Sequence, residues 1–449
     1  MTSSNGREFG FWTAVALVVG NMIGSGVFLL PASLAPYGGL SFAGWAVSAA
    51  GSVMLALVFA RFARANPAAG GPYAYTRAAF GDLPGFLVGW GYWVSVWSAN
   101  AALAVAFVGY LAAFIPSVAG KEATAAIAIG AIWLFTLVNV RGVGAVGRVQ
   151  VVTTVLKALP LAFVGVLGIA HFSPDAFKLP AASASGPAAD LMSVVTLTLW
   201  AFLGLESATI PAGAVKDAAR TISRATVTGT LVAAGIYVIS TAGVMSLIPA
   251  AALSTSTAPF ADAARALAGG PAAAAVAVGA AVSCLGALNG WTLMVGQMPM
   301  AMAADGVFPA VFGRLSTRGT PAIGFVIGAS LSTMLLLVDL VQSRLASAAS
   351  STALVTLFTR MILISTLSTL VPYFCCSLAA LLSRGTGDDA ARRRAGSGAR
   401  AIAALALIYS AIAIVGAGGE VIVWGAALLL AGLPVYFWIM KRRPGPIAA

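Results

Sequence analysis

The sequence predicts an all-α membrane protein of twelve transmembrane helices, with helices 1 and 6 discontinuous and helices 1–5 and 6–10 related as an inverted repeat. Three observations carry that prediction. The first is composition. Sixty per cent of the 449 residues are hydrophobic, eight per cent are charged, and the mean hydropathy is +0.97. A soluble domain carries about 25% charged residues, so a chain this apolar needs many spans of roughly 20 residues each. The second is a matched pair of interruptions. The apolar stretch from about Phe11 to Leu30 is broken at Gly24-Ser25-Gly26, and the one from about Leu191 to Val215 at Gly204-Leu205-Glu206-Ser207. The third is the distribution of basic residues, which tests the helix count.

Taken in order, the spans read as 11–31, 39–62, 84–115, 124–140, 149–171, 191–215, 225–248, 271–303, 320–341, 353–383, 400–416 and 419–440. Polar or Gly/Pro joints separate them, such as Pro36-Tyr37-Gly38-Gly39 and 172–190. The first span is not read as a secretory leader. Its flank is nearly uncharged, and it runs on through Asn21 into the Gly-Ser-Gly break instead of a cleavage site. With the N-terminus placed inside, nineteen Lys and Arg residues fall on the cytoplasmic side, and only Lys121, Lys178, Arg265 and Arg344 fall outside. That bias follows the positive-inside rule, which a wrong count would scramble. The net charge of +12 is therefore a topology signal, and no nucleic-acid partner is needed to explain it.

Each five-helix half opens with a broken helix, and an odd number of helices per half forces opposite orientations. The repeats are expected at 11–171 and 191–383, within one transmembrane domain spanning 1–449. Helices 11 and 12, at 400–440, lie outside the repeat, and their basic flanks read as topology determinants. Cys284, Cys375 and Cys376 all fall in apolar segments and read as packing residues. In lipid, irregular backbone survives only where it lines a buried, watered cavity. Paired breaks are the signature of a secondary transporter that holds its substrate there.

Of the thirteen acids, Glu206 alone sits deep in an apolar span. A charge at that depth costs about 2.5–3.5 kcal/mol on insertion scales and marks a pathway or proton site. A neutral glutamate capping exposed backbone is the structural alternative. Lys157 lies about a third of the way into helix 5, too deep for simple snorkelling, and reads as facing the bundle. Arg360, towards the outer third of helix 10, either does the same or reaches the interface. Helix 3 offers Tyr92, Trp93, Ser95 and Asn100. Trp200 and Trp291 lie well inside their spans, away from the interfacial belts where most membrane tryptophans sit. An indole face attracts a desolvated cation by about 2 kcal/mol, so these rings favour a cationic ligand.

Six segments sharpen this reading: Gly20–Ala32 (GNMIGSGVFLLPA), Gly70–Tyr75 (GGPYAY), Thr198–Ala208 (TLWAFLGLESA), Leu288–Leu293 (LNGWTL), Asp305–Pro309 (DGVFP) and Thr369–Tyr373 (TLVPY). Together, in this order, they resemble the amino acid–polyamine–organocation superfamily. The likeness is to its basic amino acid/polyamine antiporters, nearest the arginine/agmatine branch, and it implies a leucine-transporter-like fold. The resemblance also implies roles. Backbone N–H groups around Ile23, Gly24, Ser25 and Gly26 would hold a substrate carboxylate, with Asn21 bracing the break. Carbonyls near Trp200 and Leu203 would take the α-amino group. The distal cation would stack on Trp291, near Ser95, Val96, Asn100 and Ser365. Trp200 would gate the outer side. Tyr92, Glu206 and Tyr373 would gate the inner side, and Tyr73 and Glu206 would link to pH. Lys157 resembles the helix-5 lysine of sodium-independent members, where an ammonium stands in for sodium.

The expected function is exchange of a cationic amino acid for its decarboxylated amine, of arginine/agmatine type, across the bacterial inner membrane. A putrescine/ornithine antiporter or a proton-coupled, sodium-independent amino acid permease is the alternative. No enzyme activity, cofactor or metal is expected. His171 is the sole histidine, and no nucleophile or metal motif appears. The expected partners are the small cationic amino acid or polyamine and membrane lipid, and a homodimer stays open.

Overall fold

A computed structural model of the chain describes residues 9–112, 114–171, 174–178, 186–345, 351–383 and 390–442, with 351–366 and 390–395 among the positions described by backbone only. The twelve predicted stretches each carry helix. We label these α1 (Phe11–Met22), α2 (Leu40–Ala65), α3 (Asp82–Ala112), α4 (Lys121–Val140), α5 (Val143–Ile169) and α6 (Pro187–Trp200). The remainder are α7 (Ala218–Leu247), α8 (Pro259–Ala304), α9 (Ala322–Leu345), α10 (Ser351–Leu382), α11 (Ala390–Gly416) and α12 (Gly419–Ala431). Among the described residues, nine helices are long and apolar enough to cross a membrane, and Phe11–Met22, Pro187–Trp200 and Leu367–Leu382 are shorter apolar helices.

Two of the short ones are short because they break. Helix α1 stops at Met22, where Ile23 turns out of the helix (φ −81°, ψ 89°). The chain resumes through a single 3₁₀ turn at Gly26–Phe28 and a five-residue helix, Leu30–Leu34, opened by Pro31. Helix α6 stops at Trp200, and the predicted continuation to residue 215 is not regular α-helix. Residues 201–211 form a run of turns held by i→i+3 bonds such as Leu203 N–H to Trp200 O (3.3 Å) and Thr209 N–H to Glu206 O (2.7 Å). Gly204, at φ +106°, sits in the left-handed region that ends helices. The Thr209 hydroxyl also donates to the Glu206 carbonyl at 2.6 Å, competing with helical pairing.

Helix α8 starts earlier than its predicted residue 271. Its first turns, from Pro259, join the long segment across a kink at Ala268 and Gly269 (φ 78°, ψ −166°). The sequence hides that kink because Pro271 reads as a natural helix start.

The helix ends sort onto two faces. On one, Phe9 and Val215 form a parallel bridge: Phe9 N–H donates to Ala214 O at 3.0 Å and Lys216 N–H to Phe9 O at 2.9 Å. Gly70 N–H to Ile210 O (3.0 Å) and the Thr320 hydroxyl to Val140 O (3.2 Å) belong to the same face. This is the face of Arg61, Arg64, Arg77, Arg141 and Arg148, called the basic face below. On the opposite face Gly39 N–H donates to Lys178 O (3.2 Å), and Arg344 pairs with Glu122 at 3.0 Å.

Helix α1 is the central element, buried continuously from Ala14 to Met22. Helices α11 and α12 pack outside. Tyr409 donates to Ser48 O at 3.2 Å, and the Trp90 indole donates to Leu428 O at 3.0 Å. Outward side chains such as Leu159, Val166, Ile408 and Val423 are apolar and exposed, as a lipid-facing surface requires. Cys284, Cys375 and Cys376 are free.

Candidate functional site

The two breaks meet around a cavity of about 110 Å³. Gly24, Ser25 and Gly26 line it from the first break, Ala201 and Leu203 from the second, Ser95 and Val96 from α3, Trp291 from α8 and Thr369 from α10. Asn21 lines it too and ties the breaks together, its Nδ2 donating to the Ser207 hydroxyl at 2.8 Å. Away from the basic face a vestibule of about 1000 Å³ opens, lined by Phe28, Tyr110, Phe260 and Asp262 among others. Trp200, Ser25 and Gly26 line both spaces, so Trp200 stands between them. Its ring closes on the glycine: a methyl group on Gly26 would sit 1.6 Å from it.

The first break leaves helix carbonyls at the end of α1 without N–H partners, at the negative pole of the helix dipole. Lys157 fills that role. Its fully buried ammonium donates to Gly20 O and Ile23 O at 2.8 Å each and to Ser283 O at 3.2 Å, which uses all three of its N–H bonds. The Ser283 hydroxyl adds bonds to Ile23 O and Gly24 O, both at 3.1 Å. A cation thus bridges α1, α5 and α8, and it is a side chain.

On the basic side the cavity is closed by a carboxylate held between two phenols. Tyr92 donates to Glu206 Oε1 at 2.6 Å, and Tyr373 donates to Oε2. Gly204 N–H in turn donates to the Tyr373 oxygen at 3.1 Å. All three side chains are buried. Both carboxylate oxygens are engaged by the protein, so Glu206 acts on the seal, not on a ligand in the cavity. A proton gained there would turn an acceptor into a donor and release one tyrosine. Gly204 is required at this point for space as well as for its φ. A methyl group there would lie 3.1 Å from Trp291 and 3.3 Å from Asn21.

Several residues fall elsewhere than the resemblance implies. Asn100 is buried but points to α8, donating to the Thr292 hydroxyl at 3.3 Å, and does not line the cavity. Ile23 contributes through its carbonyl, to Lys157 and Ser283. Tyr73 belongs to another cluster on the basic face. It donates to Asp305 Oδ2 at 2.8 Å, while Arg77 reaches Asp305 at 3.1 Å and Asp82 at 2.7 Å. Burial, with Asp305 alongside, pushes the Tyr73 hydroxyl well above the ordinary phenol range. Tyr73 therefore stays a donor at physiological pH. The side chains of Ser365 and Arg360 lie outside the described residues.

The sequence reading missed Thr369, Leu103 and Ala99 in the cavity wall, and Ser283 beneath the first break. Thr369 lies four residues before Tyr373 on the same helix face, so helical spacing from Tyr373 would have found it.

A helical membrane protein with two broken helices around a central cavity is the architecture of secondary transporters. The fold agrees with a solved one, the crystal structure of MhsT in complex with L-phenylalanine. The likeness has a TM-score of 0.66 over 92% of this chain and 100% of that one, at 12% sequence identity. Residues 9–440 match the family model described as amino acid permease, and the chain belongs to that family. The cadaverine/lysine antiporter of Escherichia coli K12 is 34% identical over 377 residues, covering 83% of this chain and 82% of the relative. The putative arginine/ornithine antiporter of Bacillus subtilis 168 is 32% identical over 473 aligned positions, covering 97% and 98%. With these relatives the chain falls among the basic amino acid/polyamine antiporters, as a multi-pass membrane protein.

Proposed function

We propose that the protein exchanges a cationic amino acid for its decarboxylated amine by alternating access, without sodium. The observation that carries this is the cavity between the breaks, sealed towards the basic face by Tyr92, Glu206 and Tyr373 and separated from the vestibule by Trp200. The Lys157 ammonium occupies the bridge where a sodium-coupled carrier would need an ion. Both named relatives pair a basic amino acid with another cationic partner. In this reading the basic face is cytoplasmic, both termini are inside, and α1–α5 and α6–α10 are the two repeats. Ser25 and Gly26, at the start of the outer half-helix, take the substrate carboxylate. Carbonyls near Trp200 and Leu203 take the α-amino group, and Trp291 stacks on the distal cation.

Counterflow tests the reading. Proteoliposomes preloaded with arginine are challenged, without sodium, with labelled arginine, agmatine, lysine, cadaverine, ornithine and putrescine. Uptake of at least one basic amino acid and its amine is expected, with arginine and agmatine the pair we favour. Sodium-dependent uptake of a neutral amino acid, with none of these exchanged, would sink the proposal. Trp291→Leu keeps apolar volume and removes the π-face, so the exchanged cation should bind about tenfold more weakly.

A further inference from the structure

Helix α5 presents Gln150, Thr154 and Lys157 at intervals of four and three, on one face. All three donate to main-chain carbonyls of α1. Lys157 caps carbonyls that the break strands. The other two rungs differ, because Gln150 Nε2 (3.4 Å) and the Thr154 hydroxyl (3.0 Å) both reach Ala16 O. Ala16 lies well inside α1, where its carbonyl already has a helical partner in the Gly20 N–H. No cap is needed there. These bonds tie one helix to another.

Gln150 is itself clamped. Its Oε1 accepts from Asn289 Nδ2 at 2.8 Å, and Asn289 Nδ2 also reaches Val146 O at 3.2 Å. Asn139 Nδ2 approaches the Asn289 main-chain oxygen at 3.4 Å. A buried amide chain therefore runs from α4 through α8 and α5 to α1. Glycines make room for it. A methyl group on Gly20 would lie 2.1 Å from Gln150 Nε2, and one on Gly290 would lie 1.9 Å from Asn21 Oδ1 and 3.1 Å from Gln150 Nε2. The same amide thus borders Asn21, which braces the break. Among the described residues, Asn21 Oδ1 is buried without a hydrogen-bond partner.

We infer that Gln150, clamped by Asn289 and reinforced by Thr154, is a positioning residue. It latches the basic-side half of α1 to α5 and sets the balance between the vestibule-open state and the state open to the basic face. The inference rests on the alternating-access reading above. Opening the basic side requires α1 to leave α5, and both rungs on Ala16 O oppose that.

The test needs no substrate. Thr13 packs against Gly147 of α5, so Thr13→Cys reports separation of the two helices to a membrane-impermeant maleimide supplied from the basic face. The same protein without Thr13→Cys is the background control. Thr154→Val keeps shape and loses the hydroxyl, Thr154→Ser keeps the hydroxyl, and Gln150→Met removes the amide. Labelling should rise about fivefold to tenfold in Thr154→Val and Gln150→Met and stay near the parent in Thr154→Ser. Unchanged labelling in both variants, or Thr154→Ser as perturbed as Thr154→Val, would overturn the latch. If Gln150→Met does not fold, the Thr154 pair, differing by one hydroxyl, decides. If the parent exchanges no cationic substrate, the proposed function fails, while the labelling ratios still settle the latch.

Discussion

On the basic side of the cavity, directed hydrogen bonds do the closing: Tyr92 and Tyr373 hold Glu206, Phe9 pairs through its main chain with Ala214 and Lys216, and Gln150 and Thr154 hold α1. On the vestibule side the boundary is an indole ring resting on a glycine. The first kind of closure is specific in geometry and can be tuned by a proton. The second is apolar contact, short-ranged and adjustable by rotating one side chain. A carrier that alternates must open either seal while the other holds, so each closure has to be strong enough to shut and weak enough to release. The structure captures the pairing in which the hydrogen-bonded side is shut.

The comparison breaks most sharply at Lys157. Lys157→Met removes the donor to three carbonyls, and Gly20 O is left buried with none of the bonds described for it. Losing charge-assisted bonds and stranding a buried acceptor costs at least about 3 kcal/mol, so exchange should fall about a hundredfold or more. Thermal stability in detergent should fall with it. Lys157→Arg is not expected to rescue, since a planar guanidinium does not fit a point-charge site. Exchange retained at the parental rate by Lys157→Met would show that the first break holds itself.

Glu206→Gln comes next. It keeps two polar atoms between Tyr92 and Tyr373 but leaves one phenol facing an NH₂ donor. Substrate binding should survive, because the cavity wall does not depend on this carboxylate. Exchange should drop about tenfold to thirtyfold, and what remains should lose its pH dependence. Equilibrium binding and exchange measured on the same variant separate this outcome from direct pairing, in which binding itself disappears by several kcal/mol. Parental exchange with a parental pH profile would make Glu206 a structural cap.

How much of this was legible in the sequence follows from the range of each interaction. The apolar spans were readable because roughly 20 apolar residues in a row have few other uses. The break at Gly24–Gly26 was readable because glycine and serine interrupt that run in plain sight. The break at Gly204–Ser207 was readable too, but not its extent over 201–211, since Phe202 and Ile210 look helical and only their hydrogen-bonded surroundings make them turns. In the site, Glu206 and Lys157 announced themselves as charges at depth. Ser283 did not. It lies 126 positions from the Lys157 it serves, and a lone serine among alanines carries no local signal. Gln150 and Asn289, 139 positions apart, were invisible for the same reason. The resemblance places Asn100 at the cavity, but resemblance and polarity give depth and not direction, and its amide turns to Thr292.

The smallest expected effect tests the apolar side. In Gly26→Ala the added methyl would fall 1.6 Å from the Trp200 ring, with other ring atoms at 2.3 and 2.8 Å. The backbone at Gly26 follows Ser25 in ordinary helical geometry, so alanine is tolerated there and the ring must give way. An indole turns about two side-chain torsions at modest cost, about 0.5–1.5 kcal/mol when pushed off its preferred rotamer. The lid should therefore shift without loss of fold, and substrate should escape to the vestibule side about threefold to fivefold faster. The hydrogen-bonded seal is on the other side of the cavity, so the pH profile and the maleimide accessibility of the basic face should stay parental. Dissociation of labelled substrate, followed from each side of oriented proteoliposomes, reads the two seals separately. Faster loss from the vestibule side only would sharpen the contrast. Equal acceleration from both sides would mean that Gly26 is part of the hinge and that the two closures are one device.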